Sequence, residues 1–453
     1  MVVSNRGPLS FALDEGGRPV LVGSSGGLAA ALQPLFEGSG ATWVASAMTE
    51  ADRLASAQGL MSERGLRLVT VQPDPGVYRM AYDVVANSTL WYLHHNLFDL
   101  SRRPRFDRHW ATAWDAYRSF NQSFAAAVAD AADEGTTVLV QDYHLCLLPR
   151  MLADKRPDLR TVHFTHTPFA DPVALRVLPS AVARELLEGM AAARACGFHT
   201  VRWEGAFRAC CSDMGIDPGR TFVSPLAPDP AQLAARAGSP GCRAAADRIG
   251  AMLGGRKLVV RVDRIEPAKN LLRGLWAFDE MLQLRPDLRR QVVMLALAYQ
   301  SRQTLPEYLA YGTEAEHLAR RVNDTWGDDD WTPVLLEVAD DPDRSLAALT
   351  RYDVLLVNPV RDGLNLVAKE GPIVNATDGV LALSREAGSY EELQGAALEV
   401  NPFDVGGTAD ALIEALDMSA PERARRSRAL KDLVARRRPG DWLADQLAAA
   451  SVD

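Results

Sequence analysis

The sequence predicts an α/β protein of two doubly wound domains, each a parallel sheet covered by helices on both faces. Three observations carry this. Short apolar, β-branched runs alternate with Ala/Leu/Arg-rich stretches of helical character along the chain, the pattern of strands buried on both faces and joined by helical crossovers. A chain of 453 residues with 47% hydrophobic content can bury a large core and is long enough for two or three domains. The stretch 225–240, PLAPDPAQLAARAGSP, is rich in Pro, Ala and Gly and reads as a junction. The expected domains are 1–228 and 229–429, with a helix over about 430–453 packing back on the first.

The elements follow in chain order. The N-terminal MVVSNRGPL reads as a strand that begins at once, with Arg6 at its end. Further strands are expected at Thr137–Gln141 (TVLVQ), 161–164 (TVHF), 221–224 (TFVS), 257–262 (KLVVRV), 291–297 (QVVMLAL), Val334–Val338 (VLLEV), 353–357 (DVLLV), 379–383 (GVLAL) and 398–401. Ligands of such sheets bind beyond the carboxyl ends of the strands, so two facing sheets would share a cleft and the chemistry should sit just after strands.

Composition excludes several classes. A net charge of −9 argues against a nucleic-acid surface, though not against a local phosphate pocket. Apolar runs are short and broken by charge, so no membrane span or secretory leader is expected. The five cysteines form no CxxC pair and read as reduced, buried thiols of a cytoplasmic protein. HExxH and GxxxxGK[ST] are absent, and no GxGxxG follows the first strand. The acidic runs at Asp328–Asp330 and at Asp340, Asp341 and Asp343 read as solvated loops rather than metal ligands.

Five stretches place chemistry at strand ends. In 358–370, NPVRDGLNLVAKE, a helix is expected to start near Leu364 to Leu366, with its first amides forming an anion site. Gly363 allows close backbone approach, Asp362 suits sugar hydroxyls, and Glu370 suits the two hydroxyls of a ribose. A capping Asp, a turn glycine and a solvated Glu would give the same residues. In RVDRIEPAKN, Arg264 and Lys269 stand across a turn at a strand's end, where a fork and a point charge can grip a diphosphate; a surface charge cluster is the plainer alternative. Gly26 and Gly27 precede a helix from Leu28 and would admit a phosphate, or simply make a turn. Asp142 and His144 follow TVLVQ, and His166 follows TVHF, an acid and imidazoles placed for a polyol. Tyr82, Trp91, His94 and His95 form an aromatic cluster suited to sugar faces or to the core.

Taken in order, SNR, SGGL, the Trp after a Tyr-bearing segment, DYHL, HxPF, GFxT, R-x4-K and RDGxNLVAKE resemble the trehalose-phosphate synthase family over about residues 2–401. The resemblance implies the GT-B architecture and retaining glycosyl transfer. It implies Arg264 and Lys269 on the nucleotide diphosphate, Asp362 on the donor glucose hydroxyls, and the backbone of Asn365, Leu366 and Val367 on glucose and phosphate. Glu370 would take the ribose, His166 would lie near the donor sugar, and Asp142 between acceptor and donor. Gly26 and Gly27 would form the donor-phosphate loop. Arg6, Tyr82 and Arg302 would clamp the acceptor phosphate, and Trp91 would line the acceptor pocket. Three departures bear on the acceptor: Ala45 where the family has tryptophan, Gln141 in QDYHL for HDYHL, and Asn270 where glycine is usual.

The implied reaction is nucleotide-glucose plus glucose 6-phosphate giving α,α-trehalose 6-phosphate, with no metal or other cofactor and no macromolecular partner; homo-oligomerisation is left open. With no carboxylate placed as a nucleophile, front-face attack is expected, the leaving phosphate taking the acceptor's proton while Arg264 and Lys269 hold its charge. An acid in the loop 339–344 would favour GDP-glucose over UDP-glucose. Two other readings stand beside this one: a pseudo-glycosyltransferase joining a nucleotide-linked cyclitol to an aminocyclitol phosphate through nitrogen, and a non-catalytic sugar-phosphate sensor.

Overall fold

The structure is a computed structural model that describes residues 1–22, 27–59, 62–63, 65–302 and 304–451. It divides into two units, residues 1–225 with 439–453, and residues 226–438.

The first unit holds β1 (Val2–Val3), β2 (Phe11–Leu13), β3 (Pro19–Leu21), β4 (Thr42–Ser46), β5 (Ser62–Glu63), β6 (Leu66–Val71), β7 (Thr137–Gln141), β8 (Arg160–Thr165), β9 (Ala195–Phe198) and β10 (Thr221–Val223). Its main sheet runs β10-β9-β8-β7-β1-β4-β6-β5, and β2 and β3 pair as a separate hairpin. Every pairing in the main sheet is parallel except β5 with β6. The chain builds outward from β1 on one side through β4 and β6, then returns to its other side at β7. The switch point lies between β1 and β7, so residues after these two strands border a crevice. The helix Arg108–Ala131 covers the sheet by burying Trp110, Trp114, Tyr117, Phe124 and Val128, which recur at helical spacing. Asp107 caps it by accepting from the Trp110 amide at 3.0 Å. The C-terminal helix Pro439–Ser451 also belongs here: Trp442 is fully buried and meets the Phe164 ring edge-on at 5.2 Å. The preceding helix, Ala420–Val434, lies in the second unit.

His163 stands in the middle of β8 with no exposed surface, and burial pushes its pKa down to about 4 from 6.5. A histidine depressed in the fold binds fewer protons than its unfolded counterpart between those values, so stability falls as pH drops through that window. Between pH 7 and pH 5 this side chain should cost about 2 kcal/mol. The comparison that isolates it is His163→Leu against the parent in urea melts at both pH values, the variant losing about 2 kcal/mol less on acidification.

The second unit contains β11 (Lys257–Arg264), β12 (Val292–Tyr299), β13 (Val334–Val338), β14 (Val354–Val357), β15 (Val380–Ser384) and β16 (Leu398–Val400), in the order β13-β12-β11-β14-β15-β16, all parallel. In chain order within the unit this is 3-2-1-4-5-6, the doubly wound arrangement with its switch point between β11 and β14. The interior strand residues Leu258–Val260 and Val354–Val357 are buried.

Candidate functional site

The ends of β11 and β14 bring together Arg264, Lys269, Asp362 and Asn365, all singled out in the sequence. After β11 the chain turns through Glu266 into a short 3-10 segment, Pro267–Lys269, and after β14 through Arg361–Asn365 into the helix Val367–Val374. The two loops are joined by the Val360 amide donating to the Ala268 carbonyl at 2.9 Å. Lys269 Nζ lies 2.5 Å from Asp362 Oδ2, with both side chains mostly buried. Burial is the largest influence on the Lys269 pKa and lowers it, as does Arg264; Asp362, Asp263 and Glu266 together outweigh them, and the ammonium is held above its ordinary value.

Glu266 was not foreseen as a functional residue, yet it organises this end of the sheet. Its side chain is fully buried, and Oε1 accepts from Arg302 Nη1 at 2.7 Å and from Ser301 Oγ at 2.8 Å, with Arg264 Nε at 3.3 Å. Burial would raise this carboxyl, but Arg264, Arg302 and Lys269 together bring it down to about 2. Arg302, which the resemblance puts on the acceptor phosphate, therefore shares an anchor with Arg264. The sequence signal was an acid lying between two cations in one strand-end turn.

The helix after β14 starts at Val367, with Leu366 at its cap position, one residue beyond the expected start. Asn365, at φ 78°, accepts from the Ala368 amide through Oδ1 at 3.1 Å and donates to Asp362 Oδ2 at 3.1 Å. It therefore fills the capping role that the plainer reading gave to Asp362. Gly363 packs against the loop after β15: a Cβ on Gly388 would lie 2.0 Å from the Gly363 carbonyl oxygen. Glu370, in the first turn and half-buried, has its pKa raised by burial, with Arg236 opposing.

In the first unit, Asp142 and His166 follow the adjacent strands β7 and β8. Asp142 has φ 72° and ψ 172°, a region that L-residues rarely occupy and that is found where surrounding structure enforces it, frequently at functional sites. Its Oδ1 accepts from the His166 amide at 3.1 Å. The His166 ring lies 2.9 Å from Gln141 Oε1 through Nε2 and 3.1 Å from His199 Nε2 through Nδ1. Gln141 Nε2 donates onward to Gln446 Oε1 at 3.3 Å, which leaves Oε1 as the acceptor and His166 Nε2 as the donor. Burial holds His166 well below the usual histidine range, with His199 and His163 adding to it, so the imidazole is neutral.

Tyr82 and Trp91 fall on one continuous helical segment. Tyr82 is in the π-helix Met80–Leu90, and Trp91 opens the α-helical turn Trp91–His94. Long π-helical runs are rare and associated with functional sites. Tyr82 is stacked between Tyr78 at 5.3 Å and His144 at 5.7 Å, while Trp91 is buried against His95 at 3.9 Å. His94 accepts from the Ala170 amide at 3.1 Å and belongs to the core. Arg6 follows β1 and is half-buried, its carbonyl accepting from Ser4 Oγ at 2.7 Å. Gly27 is the first residue of the helix Gly27–Phe36, and Gly26 lies outside the described residues.

The acidic runs have structural partners. Arg290 pairs with Asp328 at 3.2 Å and Asp330 at 3.3 Å, and Asp341 caps the helix Pro342–Leu349 through the Arg344 amide at 2.9 Å. Among the described residues, no group of three or more His, Cys, Asp or Glu is arranged to hold a metal ion, and no helix is long and apolar enough to cross a membrane.

The chain matches the family model described as Glycosyltransferase family 20 over residues 1–451. It is 33% identical over 458 residues to a trehalose-6-phosphate synthase of Mycobacterium sp. (strain JLS), covering 96% of this chain and 92% of that protein. It is also 33% identical over 397 residues to a bifunctional trehalose-6-phosphate synthase/phosphatase of Thermoproteus tenax, and there it spans 53% of the relative's length. Among solved structures, the Burkholderia xenovorans α,α-trehalose-phosphate synthase (UDP-forming) in complex with glucose-6-phosphate superposes with a TM-score of 0.87 at 26% identity, over 100% of this chain and 99% of that one. An E. coli structure bound with UDP-2-fluoro glucose gives 0.86 at 25% identity, over 100% and 99% of the two chains.

Proposed function

The chain belongs to glycosyltransferase family 20, the trehalose-6-phosphate synthase family, and from that premise we propose that it transfers glucose from a nucleotide-glucose to glucose 6-phosphate, giving α,α-trehalose 6-phosphate with the α configuration kept. It is a glycosyltransferase, and its two doubly wound units are those of the GT-B class. The observation that carries the reading is the cluster of Arg264, Lys269 and Asp362 at the switch point of the second sheet, where a doubly wound unit binds a nucleotide. Relatives that share the fold bind a UDP-glucose analogue and glucose-6-phosphate.

In this reading Arg264 and Lys269 lie on the diphosphate and Asp362 on the donor sugar, while the amides after Asn365 face the phosphate and Glu370 takes the ribose. As the glycosidic bond breaks, negative charge builds on the leaving phosphate. The fixed cations stabilise it there, and the phosphate accepts the acceptor hydroxyl's proton on the same face. Gly26, Gly27, Arg6, Tyr82, Trp91 and Arg302 serve the phosphates and the acceptor as the family pattern implies. No metal is needed, so turnover should be unchanged after chelation, measured with and without EDTA.

The donor is GDP-glucose rather than UDP-glucose. In the loop 339–344 Asp341 is engaged as a helix cap, while Asp340 is exposed and able to accept from guanine N1–H and N2–H, which uracil lacks. A second reading is a pseudo-glycosyltransferase that joins a nucleotide-linked cyclitol to an aminocyclitol phosphate through nitrogen. Ala45, which stands where the family has tryptophan, permits it; this residue is buried on β4, and a Cβ on Gly7 would stand 3.1 Å from its own. A donor-by-acceptor matrix with products identified by mass tests both. Trehalose 6-phosphate from GDP-glucose is the expected product, equal rates with UDP-glucose would remove the base preference, and a nitrogen-linked product would favour the second reading.

A further inference from the structure

Strand β11 carries a charged side chain where a buried strand should be apolar. Arg261 is 1% exposed, three residues before the strand end. Its guanidinium donates to Asp263 Oδ2 at 3.0 and 3.3 Å, to the Lys269 carbonyl at 3.0 Å and to the Asn270 carbonyl at 3.5 Å. A planar guanidinium holds a carboxylate and two backbone oxygens in one fixed geometry, which an ammonium, a compact point charge with rotatable donors, does not impose. The residue it reaches, Asn270, is in the left-handed region at φ 59° and is itself 1% exposed. Its Nδ2 donates to the Asn358 carbonyl at 2.9 Å and the Pro402 carbonyl at 2.7 Å, which ties the turn to the ends of β14 and β16.

The fold leaves space for this guanidinium at one point. Gly274, on the helix Leu271–Leu284, faces it so closely that a Cβ there would stand 1.7 Å from Arg261 Nη1. A glycine in a helix interior is unfavourable, and here it is explained by the side chain it admits. Buried charge of this kind is a weak source of stability and is best attested as a device that fixes one arrangement.

We propose that Arg261 is a positioning residue for diphosphate recognition: by holding the carbonyls of Lys269 and Asn270 it sets the turn that presents Lys269 beside Arg264 at the strand end, and Gly274 is the gap that lets it do so. This rests on the donor reading above. Arg261 touches no reacting atom, so its effect should be on geometry rather than on chemistry.

The test uses the full chain, with Gly274→Ala, Arg261→Lys and the pair together. Binding of nucleoside diphosphate and monophosphate, both guanosine and uridine, is measured by calorimetry alongside kcat and thermal melts. The parent should prefer the diphosphate. Gly274→Ala should remove much of that preference and lower kcat on the order of tenfold to a hundredfold, the cost of small displacements of reactive groups. In Arg261→Lys, whose shorter side chain leaves the space open, adding Gly274→Ala should cost less than about threefold more, since the two changes act on one contact. A global loss of stability would weaken all nucleotides alike and leave the preference intact. If both single variants keep the parent's diphosphate preference and kcat, or if their losses multiply, the positioning role is wrong while the donor reading stands. If the parent binds neither nucleotide, the donor reading fails and takes this one with it.

Discussion

Lys269→Ala should lower kcat on the order of a hundredfold or more while the protein keeps its fold, since removing a single preorganised donor from the place where charge develops has that scale of effect. Lys269 sits 2.5 Å from Asp362 and is only 14% exposed, so its ammonium acts in a partly dried site where a charge counts for more than in water. Removing it also takes from Asp362 the cation 2.5 Å away, so a local excess of negative charge is added to the lost attraction. The pH dependence has a defined sign. Asp362, Asp263 and Glu266 together keep the Lys269 pKa raised in spite of burial, so the ammonium persists at every pH below the ordinary lysine value, and no loss of rate from this group should appear on the neutral-to-alkaline side. Lys269→Arg keeps the charge but not the compact point donor and should recover only part of the rate. Steady-state kinetics over pH 6–9, with thermal melts to verify folding, measure all of this. Near-parental turnover of Lys269→Ala would remove the leaving-group role.

Parts of the fold are legible because strand signals there are unmixed. TVLVQ and VLLEV are short runs dominated by β-branched or aliphatic residues, and they give β7 and β13 to the residue. Others carry no such signal. The strand Ala195–Phe198 reads ACGF, with only one residue of high strand propensity, and Gly197 is there because a Cβ would stand 2.4 Å from the Phe164 ring. Leu66–Val71 interleaves Arg67 and Thr70 with its apolar residues because it lies near the sheet's edge, where one face meets solvent. The π-helix Met80–Leu90 differs from an α-helix in hydrogen-bond offset, which side-chain pattern does not encode.

The site divides along the same line. Placement after strands follows from the doubly wound topology, so Arg264, Lys269, Asp362 and Asp142 could be located from the ends of apolar runs. Pairings could not. That Glu266 joins Arg264 to Arg302 depends on a turn and on a neighbouring strand thirty-odd residues on. That Gln141 meets His166 and Gln446 depends on the C-terminal helix lying on the first sheet. Asn270 in place of glycine reads in sequence as a departure; in the structure it keeps the left-handed backbone and adds bonds that glycine lacks.

Glu266→Gln should produce the largest stability change of any single substitution at this site. The carboxylate has no exposed surface and faces Arg264, Arg302 and, further off, Lys269. A carboxyl whose folded pKa is brought down to about 2 from 4.5 contributes stability that is complete above 4.5 and is lost as pH falls from there toward 2. Those values correspond to about 3 kcal/mol. The neutral amide abolishes that acid-linked component and leaves two guanidinium groups side by side. Breaking a buried pair costs about 3–5 kcal/mol; because the Arg264 side chain is 34% exposed and its share is screened by solvent, the lower end, about 3 kcal/mol, is expected in urea melts at pH 7. The variant also carries its own control. If Arg264 and Lys269 hold a diphosphate, bound nucleotide supplies the anion that the substitution removed, so saturating nucleoside diphosphate should raise the melting temperature of Glu266→Gln by more than it raises that of the parent. A simple packing defect would be stabilised by ligand no more than the parent is. Equal shifts would mean that Glu266 and the diphosphate do not share these cations, and parental stability of the variant would mean that the carboxylate anchors neither arginine.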